Sequence, residues 1–177
     1  MIYGSNVIKF KSGIRKGMEL IESGENQALG LLIVCGLNFG LRVSDLLRVN
    51  YSDLQSGEFV INEKKTGKRR MIVVNSNVRK AVAKMDHSIQ MELGGSPFLS
   101  RKGTVFSQQH VNRMLKDVFG EGYSSHGLRK GFGRRLYKRK GDLGLVQLQL
   151  QHSNPADTLR YIGITNDNLR KSFNDIE

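Results

Sequence analysis

Six side chains spread along the sequence have the types that transfer of a phosphoryl group to a tyrosine requires. In chain order they are Arg42, Lys65, His126, Arg129, His152 and Tyr161. Paired arginines can clamp a phosphate through their N–H donors, and histidine and lysine can move protons at the reacting oxygens. A tyrosine hydroxyl can attack phosphorus and hold a covalent intermediate. Because this chemistry needs no metal ion and no cofactor, we expect neither.

The spacing of these residues favours a shared site. His126 and Arg129 are three positions apart, so on a helix they lie on one face, and Tyr161 follows His152 by nine positions. Each motif alone has an ordinary explanation, such as a solvated arginine, a histidine that caps a helix or a tyrosine in an amphipathic core. The conjunction of all six in one order favours function.

Some assignments stay open on the residues alone. Lys64 and Lys68 flank Lys65 in one lysine-rich turn and compete with it for the same role. Arg42 can instead form a structural ion pair with a carboxylate. The candidates for that pairing are Asp45 and Glu25, and the alternative nucleophiles are Tyr3, Tyr51, Tyr123 and Tyr137.

The charge of the chain predicts a polyanionic partner. The 177 residues carry a net charge of +12, with a pI near 10.0, and the segment from residue 129 to residue 140 is densely basic. Such clustering is typical of proteins that bind nucleic acid. We therefore expect double-stranded DNA as the partner, with additional contacts from Lys64, Lys68, Lys130 and Arg134.

Other classes of protein are disfavoured. Cys35 is the only cysteine, which excludes a disulfide framework and favours an intracellular, cytoplasmic setting. The mean hydropathy is −0.37, and no apolar run approaches the roughly 20 residues of a membrane span. We find neither a secretory signal nor a Cys/His cluster with zinc-finger spacing.

The local patterns predict the elements that must position these residues. Glu25 to Phe39 has the apolar spacing of a core helix, and Ser44 begins a short helix, so Arg42 lies at the turn between them. Two β-rich runs flank the lysine turn and predict a hairpin. Further helices are predicted at Ser76 to Met91, Ser107 to Phe119, His126 to Arg139 and Leu143 to Gln151, with Ser124 or Ser125 as the cap of the third. Pro155 is predicted to open another helix, which carries Tyr161. A last short helix is predicted in the tail.

These patterns predict an α+β fold, mainly α-helical, with a small antiparallel hairpin. We assign residues 1–24 to an N-terminal arm, linker or short helix, and residues 25–177 to a catalytic domain that includes a C-terminal tail (166–177). The length favours one domain. Only about 40 residues precede Arg42, so we expect no separate N-terminal core-binding domain in this chain.

With these residues in this order, the chain resembles the catalytic domain of the tyrosine recombinase (phage integrase) family. The resemblance rests on Gly40-Leu41-Arg42 followed by Ser44-Asp45-Leu46, on Lys65-Thr66-Gly67-Lys68, on His126-Gly127-Leu128-Arg129, on Leu150-Gln151-His152 and on Tyr161. It implies a prokaryotic or mobile-element origin and self-assembly, from dimer to tetramer, on DNA. An isolated catalytic domain and a naturally minimal recombinase of the fimbrial-inversion type both fit the chain.

The resemblance also implies a mechanism. Tyr161 attacks a DNA phosphate and forms a 3′-phosphotyrosyl link, while Arg42 and Arg129 stabilise the developing charge. Lys65 protonates the departing 5′-oxygen. His126 assists as an acid or base at the tyrosine oxygen. His152 hydrogen-bonds a phosphate oxygen.

The sequence departs from the family pattern in two of these motifs. Gln151 stands where the family usually has glycine, and Asp45 stands where it has glutamate. Two other functions remain as alternatives. A type IB topoisomerase uses the same set of arginine, lysine, histidine and tyrosine residues but typically lacks the histidine at the position of His126. A catalytically silent DNA-binding protein can use the same fold.

Overall fold

The computed structural model describes residues 4–85 and 95–164. Within these residues there are nine helices and one two-stranded sheet. The elements, in chain order, are α1 (Phe10–Glu22), α2 (Gln27–Phe39), α3 (Val43–Leu46), α4 (Tyr51–Gln55), β1 (Glu58–Asn62), β2 (Arg69–Val73), α5 (Ser76–Ala83), α6 (Gln108–Phe119), α7 (Ser125–Lys140), α8 (Leu143–Leu150) and α9 (Pro155–Ile162). The expected mainly helical α+β class with one hairpin is confirmed.

Helix α2 forms the centre of the main core. Every residue from Leu29 to Leu37 is buried, because α1, α5 and α7 all pack against this helix. The crossing of α1 and α2 is close at Gly17 and Gly30, where a Cβ built on Gly30 would lie 2.5 Å from the Gly17 carbonyl oxygen. The apolar run that predicted a core helix therefore has partners on all sides.

A smaller apolar cluster joins the last three described helices. Val146, Leu150 and Ile162 are its buried members, and they link α8 and α9 to α7. This cluster packs α9 against α7 and α8, and it is separate from the main core. The position of Tyr161 therefore depends on a small set of contacts.

The predicted hairpin is present. β1 and β2 pair antiparallel, with Val60 opposite Met71 and Ile61 opposite Arg70. Burial alternates along each strand, which places one face of the hairpin on the core. The outer face exposes Val60, Met71 and Val73.

Most predicted helices are present with small shifts at their ends. Ser107 caps α6 by accepting the His110 N–H at 3.1 Å, and Ser124 is the N-cap residue of α7. Helix α5 ends at Ala83 with Lys84 as its C-cap, whereas the sequence predicted helix to Met91. The rest of that prediction beyond residue 85, and the predicted tail helix, lie outside the described residues.

The region assigned to an N-terminal arm contains a full helix. Helix α1 buries Leu20 and Ile21 and shares the main core with α2. The division at residue 24 stays a prediction. In the part of the chain that the structure describes, no helix has the length and apolar character needed to cross a membrane.

Candidate active site

Arg42 lies at the junction that the sequence predicted, between α2 and α3. Helix α2 ends at Gly40, which has a left-handed conformation with φ 59°, and Arg42 is the extended N-cap residue of α3. The Arg42 guanidinium pairs with the Glu63 carboxylate. The alternative partners that the sequence suggested, Asp45 and Glu25, are not the ones that it contacts. Asp45 instead accepts the Lys64 backbone N–H at 2.8 Å.

Arg129 is buried and held on the core side of α7. Its guanidinium donates to the Gly40 carbonyl oxygen at 2.6 Å and to the Leu150 carbonyl oxygen. Only 2% of the residue is exposed. Burial and the nearby charge of Arg42 lower the pKa of Arg129 to about 10, so the side chain stays charged at neutral pH.

His126 and Tyr161 contact each other although they are 35 positions apart in the sequence. Nδ1 of His126 lies 3.1 Å from the Tyr161 hydroxyl oxygen. Burial lowers the pKa of His126, and the positive charges of Arg129, Lys130, Arg42 and Lys65 lower it further. A neutral imidazole beside a phenol is the protonation state that accepts a proton from it.

His152 lies on the other side of the tyrosine ring. The two ring centroids are 4.8 Å apart in an edge-to-face arrangement, and Nδ1 of His152 lies 3.0 Å from the hydroxyl oxygen of buried Thr158. Burial, with a contribution from the charge of Arg129, lowers the pKa of His152 to about 4. If the Thr158 hydroxyl donates to Nδ1, the other ring nitrogen carries the proton and can donate to a phosphate oxygen.

The residue before His152 keeps the tight turn without a glycine. Gln151 has φ 48° and ψ 43° at the end of α8, and it is the single non-glycine residue with positive φ in the described part of the chain. Its side-chain oxygen accepts from the Thr66 hydroxyl at 3.1 Å. This departure from the family pattern therefore preserves the turn and adds a contact to the hairpin.

The lysines of the hairpin turn are all exposed. Lys64, Lys65 and Lys68 lie in the loop that connects β1 to β2, and the charge of Lys65 acts on His126. Lys64 and Lys68 share its loop and its exposure, so the selection of Lys65 as the proton donor stays a prediction.

Lys130 and Arg134 have partners within the chain. Lys130 donates to the Ser5 carbonyl oxygen at 2.9 Å, and its Nζ lies 5.7 Å from the centre of the Tyr161 ring. Arg134 donates from Nε to the Ile162 carbonyl oxygen at 2.7 Å, at the end of the helix that carries Tyr161. Their predicted DNA contacts stay predictions.

The structure adds two charged residues that the sequence analysis missed. Glu63 and Arg70 are 1% and 6% exposed and lie 3.5 Å apart through Oε1 and the Arg70 guanidinium. The sequence signal that could have identified Glu63 is the alternation of buried and exposed residues along the strand. Phe59 and Ile61 face the core, so the next residue on that face is Glu63.

Comparison with known proteins shows the family to which the chain is similar. Residues 19–167 match the model of the phage integrase family. A probable integrase/recombinase, YoeC, from Bacillus subtilis is 31% identical over 148 residues, covering 80% of this chain and 81% of the relative. The type 1 fimbriae regulatory protein FimE of Escherichia coli is 30% identical over 141 residues, covering 73% and 71%.

A solved structure shows the same fold. The XerH site-specific recombinase, in a post-cleavage complex with its palindromic difH substrate, superposes with a TM-score of 0.68 at 21% identity. The match covers 95% of this chain but 52% of that protein, so this chain spans about half the length of that recombinase. The fold, the order of the site residues and the family match lead to one conclusion: the chain belongs to the phage integrase family, the tyrosine recombinases.

Proposed function

We propose that this chain is a site-specific DNA recombinase or integrase that cleaves and rejoins DNA through a 3′-phosphotyrosyl intermediate. The observation that carries the proposal is the 3.1 Å approach of the Tyr161 hydroxyl to Nδ1 of His126. A buried, charged arginine on the same helix lies one turn away from that histidine. A nucleophile, a proton acceptor and a cation that stabilises charge are thereby brought together.

The first step follows from this arrangement. The Tyr161 oxygen attacks a backbone phosphorus while its proton passes to neutral His126. The bond from phosphorus to the 5′-oxygen breaks, and a lysine of the hairpin turn, Lys65 in our assignment, donates a proton to the leaving oxygen. Arg42 and Arg129 stabilise the negative charge that develops on the non-bridging oxygens. His152 donates a hydrogen bond to one of these oxygens.

The second step reverses the first with a new strand. The phosphotyrosyl link retains the energy of the broken bond, so a 5′-hydroxyl can attack it without ATP or a metal ion. Attack by the original strand restores the DNA, and attack by a strand of another duplex gives recombination. The proposal includes assembly of the protein from dimer to tetramer on double-stranded DNA in a prokaryotic cell, on behalf of a phage or other mobile element.

The basic surface supports DNA as the substrate. The chain carries a net charge of +12, and Lys64, Lys65 and Lys68 project from the hairpin turn. Phosphate neutralisation by such side chains makes binding steeply dependent on salt. We therefore expect affinity for duplex DNA to fall strongly between about 50 and 200 mM salt.

Covalent trapping tests the proposal. Nicked duplexes of randomised sequence are incubated with the protein in EDTA and separated on a denaturing gel. We expect an SDS-resistant adduct that is lost in Tyr161→Phe and retained in the matched control Tyr137→Phe. Sequencing of the trapped DNA then gives the target site.

Three outcomes contradict the proposal. An adduct that survives Tyr161→Phe would assign the chemistry to another residue. Salt-sensitive DNA binding without any adduct would favour the silent DNA-binding alternative. Relaxation of supercoiled plasmid with no target site would instead favour a topoisomerase, although the presence of His126 argues against that function.

A further inference from the structure

Glu63 is a buried carboxylate that contacts two arginines. It is the first residue after β1, and its side chain is fully buried. One carboxylate oxygen pairs with the Arg42 guanidinium, and the other lies 3.5 Å from the Arg70 guanidinium. Removing charges from water is costly, and a buried ion pair often contributes little net stability compared with apolar packing. The position therefore calls for a role other than stability.

The same residue forms the base of the lysine turn. The Glu63 backbone N–H donates to the Lys68 carbonyl oxygen at 3.0 Å, and the Glu63 carbonyl oxygen accepts the Gly67 N–H at 2.8 Å. These bonds close the loop that carries Lys65. A single residue thus contacts Arg42 through its side chain and fixes the Lys65 turn through its backbone.

Arg70 extends this contact to the second clamp arginine. Its guanidinium donates to the Gly40 carbonyl oxygen at 3.4 Å, and Arg129 donates to that same oxygen at 2.6 Å. The Gly40 carbonyl lies at the end of α2, two residues before Arg42. The polar chain Arg42, Glu63, Arg70, Gly40 and Arg129 is therefore continuous and connects both arginines of the proposed phosphate clamp.

We propose that Glu63 is a positioning residue that holds the Arg42 guanidinium at the phosphate site and ties it to the Lys65 turn. This inference rests on the proposed function. Glu63 does not touch the reacting atoms itself. It uses a small part of the Arg42 guanidinium, which carries five N–H donors in total, and leaves the others for the phosphate.

The variant Glu63→Gln tests this role because it keeps the shape of the side chain and removes its charge. The matched control is Glu58→Gln, an exposed position at the start of β1 with the same change in charge. Rates of adduct formation are measured on the DNA that the unmodified protein traps. Misplacement of a charge-stabilising group costs on the order of 10²-fold in rate, so we expect Glu63→Gln to lose about 10²-fold with DNA affinity unchanged. Glu58→Gln should keep the original rate.

A neutral substrate separates positioning from folding. A methylphosphonate at the scissile position replaces one non-bridging oxygen with a methyl group and removes the negative charge that Arg42 stabilises. On this substrate we expect Glu63→Gln to react within about threefold of the unmodified protein, since the clamp has less charge to stabilise. An equal loss on both substrates, or no loss on the ordinary phosphate, would overturn the inference.

The guanidinium of Arg42 gives a readout that does not depend on catalysis. Its Nε–Hε signal in a nitrogen-15 NMR spectrum is assigned by its disappearance in Arg42→Lys. In Glu63→Gln we expect this signal to shift and to show the fast motion of an unrestrained side chain, while Glu58→Gln leaves it unchanged. An unchanged Arg42 signal in Glu63→Gln would refute the inference. Failure of the unmodified protein to form any adduct would refute the proposed function, and the NMR comparison would still decide the role of Glu63.

Discussion

The Tyr161 hydroxyl oxygen lies 3.1 Å from Nδ1 of His126. The two residues come from different helices, α9 and α7, and the edge-to-face contact with His152 holds the other side of the ring. The candidate nucleophile therefore lies between two histidines of its own chain. The small apolar cluster and contacts from α7 hold the tyrosine in this position.

His126→Ala tests the role of this contact. Loss of a general base typically lowers a rate by about 10²–10⁴-fold, and we expect adduct formation to fall within that range. The pKa of His126 is lowered from 6.5, so the acid limb of the rate profile should lie below that value and should vanish in the variant. The control is His110→Ala, a half-buried histidine on α6 that contacts Arg113 and Phe106 outside the candidate site. An intact acid limb in His126→Ala would contradict the assignment.

His152 predicts a specific dependence of stability on pH. Its folded-state pKa is lowered from 6.5 to about 4, so the unfolded chain binds the proton more readily. This contribution to the unfolding free energy is fully present above pH 6.5 and is lost as the pH falls toward about 4. We expect a loss of about 1–2 kcal/mol, after allowance for partial solvent screening.

Urea unfolding at pH 7 and pH 4.5 measures this term for the unmodified protein and for His152→Asn. Other groups titrate equally in both proteins, so the difference between their pH dependences isolates His152. Identical pH dependences would contradict the lowered pKa.

Arg134 is predicted to hold the helix that carries the tyrosine. Its Nε donates to the Ile162 carbonyl oxygen at 2.7 Å, and its charge lies at the carboxyl end of α9, where cations are favourable. We expect Arg134→Met to lower the hydrogen-exchange protection of α9 amides by about tenfold, equivalent to a hydrogen bond of about 1.4 kcal/mol. The rate of adduct formation should fall with it.

Lys138→Met is the matched control, because it removes the same charge from an exposed position one turn further along α7. If Arg134 acts mainly on DNA instead, its variant will weaken DNA binding and leave the protection of α9 unchanged. Comparison of binding and exchange therefore separates the two roles.

Gln151 adopts a left-handed conformation that favours glycine. We expect Gln151→Gly to be more stable than Gln151→Ala by about 1 kcal/mol, because both lose the bond to Thr66 but only glycine relieves the backbone strain. Thermal or urea unfolding of the two variants gives this difference directly. Equal stabilities would show that the turn relaxes without cost.

Gly40 combines a left-handed conformation with a close neighbour. A Cβ at this position would lie 2.3 Å from Cδ1 of Phe132, so Gly40→Ala should destabilise the fold by about 3 kcal/mol through overpacking and strain together. Gly57→Ala is the control, since Gly57 has φ 83° with nothing within 4 Å of its Cβ. It should cost about 1 kcal/mol. Similar losses at both sites would contradict the role of the Phe132 contact.

The sequence by itself determined the elements and the family. Apolar periodicity, capping residues and the position of Pro155 predicted most helices within a few residues, because these signals act over one or two turns of chain. The order of the six candidate residues carried the resemblance, and the family match confirmed it. The short helix α4 was missed, since five residues are too few for a periodic signal.

Only the tertiary structure decided which groups meet. The partner of Arg42 is Glu63, 21 residues away, and not the nearer Asp45, because the strand places that carboxylate on the core face. The contact of His126 with Tyr161 and the convergence of Arg70 and Arg129 on one carbonyl oxygen join residues from separate elements. Such contacts depend on how helices and strands pack, and local sequence patterns carry no information about distances across the core.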